Sequence, residues 1–418
     1  MLIQFKCANH RSIKEEVKFS LLASTDDSLS ENLIVSDTGN KYLRCAEIYG
    51  ANGSGKSTLL NAIQMMSAIV QKSNNYQPGD NIIRTPHKLS LPNTPTVFSI
   101  IFIKNGIKYS YGFSYTEEGI LEEYLYYWPG RKKAMIFERT QKSDFEFGDG
   151  FKKDGENCRG RIKNNKLLLS CAANETSIKE ITEVFLFFKE DLVIYPGEPN
   201  NWFEYSVSQI QNNQEMKKLF INFMNSIGSD LVDIRAKIEQ RTLTQKELTI
   251  FGMQSLPFPI QQLSNQKVNI ISLKLDYGKF VIDINEESAG VQKLFKFLCP
   301  LIDILHSGKV FICDEIETHL HPSIVAEIVK RFCKNIDSAG QMIFTTHDTD
   351  LLDLDYVRRD QIWFTELKPE YRSTDLYSLI ELKNIRKGEN VKKGYISGRY
   401  GAVPMLNGNF REDENAKR

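Results

Sequence analysis

The sequence predicts an α/β fold built around a parallel sheet, and three stretches of the chain carry that prediction. Residues 45–70 show a short apolar strand, a glycine-rich turn and then apolar residues at helical spacing. Residues 309–346 show a buried strand, a helix with an apolar stripe and a second buried strand, the pattern of a right-handed β-α-β unit. Residues 96–115 alternate around Asn105-Gly106, which predicts a β-hairpin.

The same patterns divide the chain into five segments. We expect an N-terminal lobe with the glycine-rich turn, a β extension, an inserted mixed and helical subdomain, a C-terminal lobe and a tail. In that order, they span residues 1–75, 76–150, 151–265, 266–405 and 406–418. Inside the insert, helices are expected at 176–190 and 214–226, and strands resume over 268–284.

Composition places few limits on function. Apolar residues make up 41% and charged residues 25% of the 418 positions, as in ordinary globular proteins. Lys and Arg together number 53, as do Asp and Glu, so no global field attracts nucleic acid or an anionic membrane. The seven cysteines show neither a CxxC pair nor a His/Cys metal spacing, which predicts reduced thiols. Without a signal peptide or a membrane-length apolar run, we expect a cytoplasmic protein.

The glycine-rich turn has the pattern of a phosphate-binding loop. Residues 50–57 read GANGSGKS, which fits G-x-x-x-x-G-K-[ST]. In such loops backbone N–H groups and the helix N-terminus converge on phosphates, a lysine reaches the β- and γ-phosphates, and a serine hydroxyl binds Mg²⁺. The alternative is a plain turn before a helix. The pattern predicts ATP and Mg²⁺ as cofactors, with these binding residues: Gly50, Asn52, Gly53, Ser54, Gly55, Lys56, Ser57 and Thr58.

Two acids and a histidine end the next predicted strands. Asp314 and Glu315 follow the strand KVFIC, where Asp314 would contact Mg²⁺ through water and Glu315 would polarise the attacking water. A solvated strand end is the alternative. His347, after the following strand, would contact the γ-phosphate or hold the attacking water, unless its role is structural. For His319 and His321, a loop at a subunit contact is favoured over a metal site.

Five motifs in order resemble those of ABC-type ATPase heads of the SMC kind. They are GANGSGKST, ESAGVQK at 287–293, CDEIETHLHP, TTHD and YISGRYGAVP at 395–404. Within that superfamily the chain is most similar to the small standalone "AAA-like" ATPases of bacterial phage-defence and abortive-infection operons. The resemblance implies a P-loop NTPase fold of the ABC/SMC-head type, with an N-terminal β extension and an inserted helical subdomain. Residues 75–265 carry almost none of it.

The resemblance also implies an assembly. In such heads the signature segment, here with Ser288 and Gly290 at the start of a predicted helix, binds the γ-phosphate held by a second subunit. One P-loop and one signature per chain then imply a homodimer, or a higher homo-oligomer, around two ATP molecules. A polar helix cap is the simpler alternative. Pro300 is expected to kink or split that helix. The glutamine that related heads place before the signature cannot be assigned; Gln77 is one candidate.

Three functions compete for the predicted ATP cycle. The chain could be the sensor or scaffold of an anti-phage system that controls a separate effector, a nuclease or toxin. It could instead be a DNA-repair ATPase that clamps DNA, with the basic run Arg131-Lys132-Lys133 contacting phosphates. A transporter subunit fits least, because the signature and insert are atypical and no membrane contact is expected. The stretch after His347 is too short for the TOPRIM nuclease that some relatives append, so we favour the first function.

Overall fold

The computed structural model describes residues 1–140, 144–195, 202–242, 267–334, 339–383, 385–386 and 388–404. The chain divides into two compact units. The first comprises Met1–Pro196, Leu305–Thr318 and Val325–Arg418, and the second comprises Gly197–Ile304 and His319–Ile324. This division crosses the predicted 151–265 subdomain, because residues 151–195 pack with the N-terminal lobe. The predicted tail, 406–418, lies outside the described residues.

The strands, in chain order, are β1 (Leu2–Ala8), β2 (Val17–Ser20), β3 (Leu33–Val35), β4 (Lys41–Leu43), β5 (Cys45–Gly50), β6 (Thr96–Lys104), β7 (Ile107–Thr116), β8 (Gly119–Trp128), β9 (Ala134–Thr140), β10 (Asp144–Phe147), β11 (Leu192–Tyr195), β12 (Asp233–Thr242), β13 (Lys267–Asp276), β14 (Val281–Asp283), β15 (Val310–Cys313), β16 (Gln341–Thr345), β17 (Ile362–Lys368) and β18 (Ser373–Ser378). The α-helices are α1 (Lys56–Lys72), α2 (Lys152–Arg159), α3 (Leu168–Glu175), α4 (Lys179–Leu186), α5 (Trp202–Asn212), α6 (Gln214–Ser226), α7 (Ala289–Ser307), α8 (Pro322–Cys333) and α9 (Val391–Ile396).

Two large sheets organise the first unit. One is antiparallel, in the order β10-β9-β8-β7-β6-β1-β2. The other has the order β11-β15-β16-β5-β17-β18 and is parallel except at its β18 edge. Its central strands β5, β15 and β16 are buried throughout, which explains why most of their residues are apolar.

Helix α1 shares one buried core with both sheets. Its apolar stripe, which includes Leu59, Ile63 and Met66, is in the same cluster as Phe98 of the antiparallel sheet and Ile48 of the parallel sheet. The stripe has the spacing that the sequence predicts. Burial along this helix holds its N-terminus, at Lys56, directly after β5, where the phosphate-loop pattern lies.

The second unit contains α5, α6, the three-stranded sheet β12-β13-β14 and most of α7. Phe220 of α6 packs on Phe295 of α7, with ring centroids 4.5 Å apart. Helix α7 is continuous from Ala289 to Ser307, so the expectation that Pro300 would split it is wrong. Leu298 and Leu301 are buried on either side of Pro300. The packing of these two side chains offsets the free-energy cost of the backbone hydrogen bond that a proline removes from a helix.

Most predicted elements of the first unit are confirmed. β6 and β7 form the predicted hairpin, with Asn105 and Gly106 both at positive φ as a type I′ turn requires. The helix expected at 176–190 begins later, at Lys179, and α4 continues after Leu186 as a π-helical turn over Phe187–Asp191. β11 follows where no strand was expected. Among the described residues, the structure contains no helix that is long and apolar enough to cross a membrane.

Candidate nucleotide-binding site

The phosphate-loop pattern forms a tight backbone turn between β5 and α1. Gly55 has φ 114°, and a Cβ there would lie 2.1 Å from the Oγ1 atom of Thr374. A Cβ on Gly50 would lie 2.4 Å from the Oγ1 atom of Thr365. Side chains at these two positions would therefore collide with the neighbouring strands. The glycines let the backbone turn within this space and expose N–H groups at a helix N-terminus, as binding of a phosphate requires.

Hydroxyl groups from outside the motif hold the loop in place. The Ser54 and Thr365 hydroxyls lie 2.6 Å apart, and the Thr374 hydroxyl donates to the Ser54 carbonyl at 2.8 Å. Ser12 donates to the Thr58 hydroxyl at 3.0 Å. The side chains of Ser54 and Thr58 are thus engaged within the protein, so their predicted contacts to a nucleotide would come from the backbone.

The predicted residues Asn52, Gly53 and Ser57 lie on the open side of the loop. All three are exposed, and a Cβ on Gly53 would have no neighbour within 4 Å. Lys56, by contrast, is only 6% exposed, and its ammonium group donates to the Gly50 carbonyl at 2.8 Å. Burial lowers the pKa of Lys56, and nearby carboxylates oppose that shift. A phosphate would give this buried cation an anionic partner.

Ser57 and Asp314 line a common cavity of about 190 Å³. The cavity lies where β5 and β15 end, since the carboxyl ends of parallel strands share one edge of the sheet. A hydroxyl and a carboxylate are oxygen ligands of the kind Mg²⁺ prefers, so this pair fits the predicted metal. Arg11 lines the same cavity and has φ 48°, although no sequence motif includes this residue.

Thr345 connects the two carboxylate residues that the sequence singles out. Its hydroxyl donates to Asp314 Oδ1 at 2.5 Å and accepts the backbone N–H of Glu315 at 2.8 Å. Thr345 is fully buried at the end of β16, the strand next to β15. Glu315 itself is exposed and has φ 47°, a left-handed backbone that is rare for a glutamate. The sequence motif TTHD contains Thr345, but the motif predicts a functional role only for its histidine.

His347 lies directly after this cluster, with an exposed side chain. Its backbone N–H donates to Glu317 Oε1 at 2.7 Å, and Glu317 Oε2 is buried without a hydrogen-bond partner among the described residues. Glu317 therefore holds the turn that carries the histidine. It is a third carboxylate near Lys56, and its electrostatic effect on Lys56 is in the same direction as those of Asp314 and Glu315.

A fourth acid, Glu47, is fully buried in the middle of β5. The Tyr49 hydroxyl lies 3.1 Å from Glu47 Oε2 and 3.3 Å from the carbonyl oxygen of Asp348, in the turn after β16. One phenolic proton cannot serve two acceptors fully, but a protonated Glu47 can donate to Tyr49 while Tyr49 donates to Asp348. Burial raises the pKa of Glu47 well above its ordinary value, which favours this arrangement.

The motif at 395–404 packs beside the same strand. The Tyr395 ring lies 5.7 Å from the Tyr49 ring and stacks on Phe364 at 5.5 Å. The Tyr395 hydroxyl donates to the Ala402 carbonyl, which closes the motif on itself. The segment therefore supports the strand that enters the phosphate loop.

Ser288 and Gly290 lie in the second unit, at the start of α7. The Ser288 hydroxyl accepts the backbone N–H of Val291 at 3.3 Å, as a helix cap does. A Cβ on Gly290 would lie 2.8 Å from the carbonyl oxygen of His319, so glycine permits this close approach. Both residues therefore begin a helix, as the sequence predicts.

The remaining candidates take no part in the cavity. His321 Nδ1 lies 2.6 Å from the Ser323 hydroxyl, and among the described residues neither it nor His319 belongs to a cluster of three metal-ligand side chains. Gln77 lies in an exposed turn, where its backbone N–H donates to Asp80 and its carbonyl accepts from Asn165. Gln77 is not among the residues that line the cavity beside Ser57.

Comparison with known families assigns the fold that carries this site. A profile described as "AAA domain, putative AbiEii toxin, Type IV TA system" matches residues 46–354, about three quarters of the chain. The chain belongs to this AAA domain family. The match includes the phosphate loop, both carboxylates and His347, so the predicted α/β P-loop fold is confirmed and the protein is an ATPase of the AAA type. The comparison with curated proteins found no match.

Solved structures similar to this AAA domain protein include several SMC heads. The SMC head bound to the C-terminal winged-helix domain of ScpA is 14% identical, with 90% of this chain and 97% of that chain covered and a TM-score of 0.46. The SMC head domain from Thermotoga maritima is 13% identical, with 90% and 98% covered and a TM-score of 0.41. The Smc head with an extended coiled coil, from Pyrococcus furiosus, is 12% identical, with 95% and 99% covered and a TM-score of 0.42.

Proposed function

We propose that this AAA domain protein binds ATP with Mg²⁺ at residues 50–58 and hydrolyses it. The shared cavity of Ser57 and Asp314 at the ends of β5 and β15 is the observation that carries the proposal. Mg²⁺, when bound, would neutralise charge that develops on the transferred phosphoryl group. Lys56 and the loop backbone would hold the phosphates, and Ser57 and Asp314 would hold the metal.

The hydrolytic step would fall to Glu315 and His347. Glu315 would orient the attacking water, and His347 would contact the γ-phosphate or that water. Thr345 would position Glu315 by accepting its backbone N–H. Glu317 would position His347 in the same way, through the backbone of the histidine.

The proposed active form is a homodimer, or a higher homo-oligomer, with composite sites. Ser288 and Gly290 of one copy would complete the γ-phosphate site of another, because a helix N-terminus attracts negative charge. Ser288 is exposed at the start of α7, as such a contact needs. A chain with one phosphate loop and one such helix start would close as a two-fold pair.

Light scattering after size exclusion tests both parts of this proposal. With ATP and Mg²⁺, Glu315→Gln should trap nucleotide and elute as a dimer or larger species, while releasing no phosphate. The matched control is the same variant combined with Lys56→Ala, which should bind no nucleotide and remain a monomer. A monomeric Glu315→Gln protein with ATP bound would contradict the composite site and leave nucleotide binding intact.

We further propose that the ATP cycle serves an anti-phage defence system, in which this chain is the sensor or scaffold for a separate effector, a nuclease or toxin. The family description, with its putative toxin and toxin–antitoxin system, supports this assignment. Cells that carry the chain with its neighbouring genes should survive phage challenge, and Lys56→Ala should abolish that protection. Full protection by the Lys56→Ala variant would argue against an ATP-dependent role.

One observation favours the second candidate, a DNA clamp. Lys108 of the antiparallel sheet lies over the Trp128 ring at 4.5 Å. Lys133, the last residue of the basic run that begins at Arg131, lies over the Tyr126 ring at 3.3 Å. Lysine ammonium groups can bind phosphates, and aromatic rings can stack on bases. ATP-dependent DNA binding that weakens steeply with salt, and that Lys133→Ala reduces, would support this function. No binding at low salt would exclude it.

A further inference from the structure

Two thiols and a carboxylate converge where α2 packs against α3. Cys158 lies near the end of α2, and Cys171 and Glu175 lie on α3. The two sulfur atoms and a Glu175 carboxylate oxygen all lie within 4.8 Å of one another. Since Cys171 and Glu175 are four residues apart, they share one face of α3. Twelve residues separate the two cysteines, and this spacing matches no metal-binding motif, so the cluster could not be predicted from the sequence.

The cluster has a buried side and an exposed side. Cys158 is 1% and Cys171 3% exposed, whereas the Glu175 side chain is 32% exposed. The guanidinium group of Arg161 lies 3.2 Å from Glu175 Oε2. An ion could thus reach the cluster from the Glu175 side and be enclosed by the two sulfur atoms.

We propose that Cys158, Cys171 and Glu175 bind one thiophilic divalent cation, of the zinc class. Zinc binds thiolate sulfur at about 2.3 Å and carboxylate oxygen at about 2.1 Å, so that its ligand atoms lie roughly 3.5–4 Å apart in a tetrahedron. The observed spacing reaches this geometry with small side-chain rotations. Three protein ligands leave a fourth position for water.

The charges of such a site balance. Binding releases the two thiol protons to solvent, which leaves two thiolates and one carboxylate around a cation of charge +2. The single negative charge that remains faces Arg161, at the exposed side. The assembly is therefore neutral overall, which a largely buried site requires.

An occupied site would tie α2 to the helix that supports α1. Ser170, next to Cys171, donates to the Val70 carbonyl of α1 at 2.6 Å and accepts from Ser73 at 3.0 Å. The metal would therefore fix α2 and α3 together beside the C-terminal end of α1. This proposal does not depend on ATP hydrolysis.

Cadmium titration of the reduced, chelator-treated full chain tests the proposal. We expect one equivalent of Cd²⁺ to produce an ultraviolet thiolate charge-transfer band, Zn²⁺ to compete it away, and either ion to raise the melting temperature. Cys171→Ser should weaken binding by about 100-fold or more and Glu175→Gln by at least about tenfold, because loss of a ligand should cost at least as much as the about 10–100-fold that follows loss of a ligand's hydrogen-bond partner. Cys299→Ser, which removes a buried thiol in the second unit, is the matched control and should bind normally.

A second measurement covers the case in which Cys171→Ser does not fold. In the wild-type chain, Zn²⁺ should protect Cys158 and Cys171 from alkylation, as read by peptide mass spectrometry, and leave the labelling of Cys299 unchanged. A reduced protein without a charge-transfer band or selective protection would overturn the proposal. A disulfide between Cys158 and Cys171, with no metal bound after its reduction, would also overturn it and assign the pair to redox chemistry.

Discussion

Replacing Glu47 by glutamine tests the proton arrangement inferred beneath the phosphate loop. Glu47 is fully buried, and Tyr49 connects it to the carbonyl of Asp348. Glutamine has nearly the same shape, stays neutral at every pH and can donate an N–H to Tyr49 as the protonated acid would. The substitution therefore removes only the ability to ionise.

The sign and size of the effect follow from proton linkage. An unfolded glutamate ionises near pH 4.3, whereas burial keeps Glu47 protonated well above that value in the folded protein. The folded state then binds one more proton, so the contribution of Glu47 is fully present below its unfolded pKa and is lost as pH rises. The loss approaches about 1.4 kcal/mol per pH unit in the window that begins about one unit above the unfolded pKa and lasts as long as Glu47 stays protonated in the folded protein.

The assay is urea unfolding of wild-type and Glu47→Gln proteins at several pH values across that window, followed by tryptophan fluorescence. As pH rises, the free energy of unfolding of the wild type should fall relative to that of the variant by about 1.4 kcal/mol per pH unit. This change is expected whatever the difference between the two proteins at low pH. Glu15→Gln, whose carboxylate is 86% exposed, is the matched control and should run parallel to the wild type. Parallel curves for Glu47→Gln as well would refute a protonated Glu47.

Two further substitutions test the geometry of the site. Thr345→Val keeps the shape of the side chain but removes two hydrogen bonds. Phosphate release should therefore fall about tenfold or more while binding of a fluorescent ATP analogue persists. Unchanged phosphate release would show that this hydroxyl does not position the carboxylates. Gly55→Ala combines a strained backbone with a clash against Thr374, and should cost about 1–3 kcal/mol of stability by urea unfolding and abolish nucleotide binding. Gly53→Ala, where the added carbon meets open space, should lose less, and equal losses would contradict the steric argument.

The sequence predicted the secondary-structure elements whose burial produces a recognisable pattern of apolar residues. β5, β15 and β16 lie inside a parallel sheet, so most of their side chains are apolar on both faces. The hairpin at Asn105-Gly106 was predictable because few residue pairs accept two positive φ angles. Residue types and spacing at 50–57 also predicted the tight turn between β5 and α1.

Long-range pairing was not predictable in the same way. β11 is four residues long and follows a helical turn, and its partner β15 is more than 100 positions further along the chain. Arg11 lies in the cavity because the turn after β1 brings it there, and no local pattern at Arg11 predicts this. Cys158 and Cys171 meet for a related reason, since the packing of α2 on α3 brings them together.

The pair of acids at 314–315 can be found in the sequence, but the backbone conformation at Glu315 cannot. Successive residues of an extended strand point to opposite faces, so Asp314 and Glu315 would point in opposite directions if β15 simply continued. β15 ends at Cys313, and the left-handed φ of Glu315 breaks the alternation at a cost of about 1–2 kcal/mol. The bond from its N–H to Thr345 offsets part of that cost. The turn that presents the two acids is therefore stabilised by Thr345, a residue of the neighbouring strand. For this reason the acid motif alone predicts the two residues but not the turn.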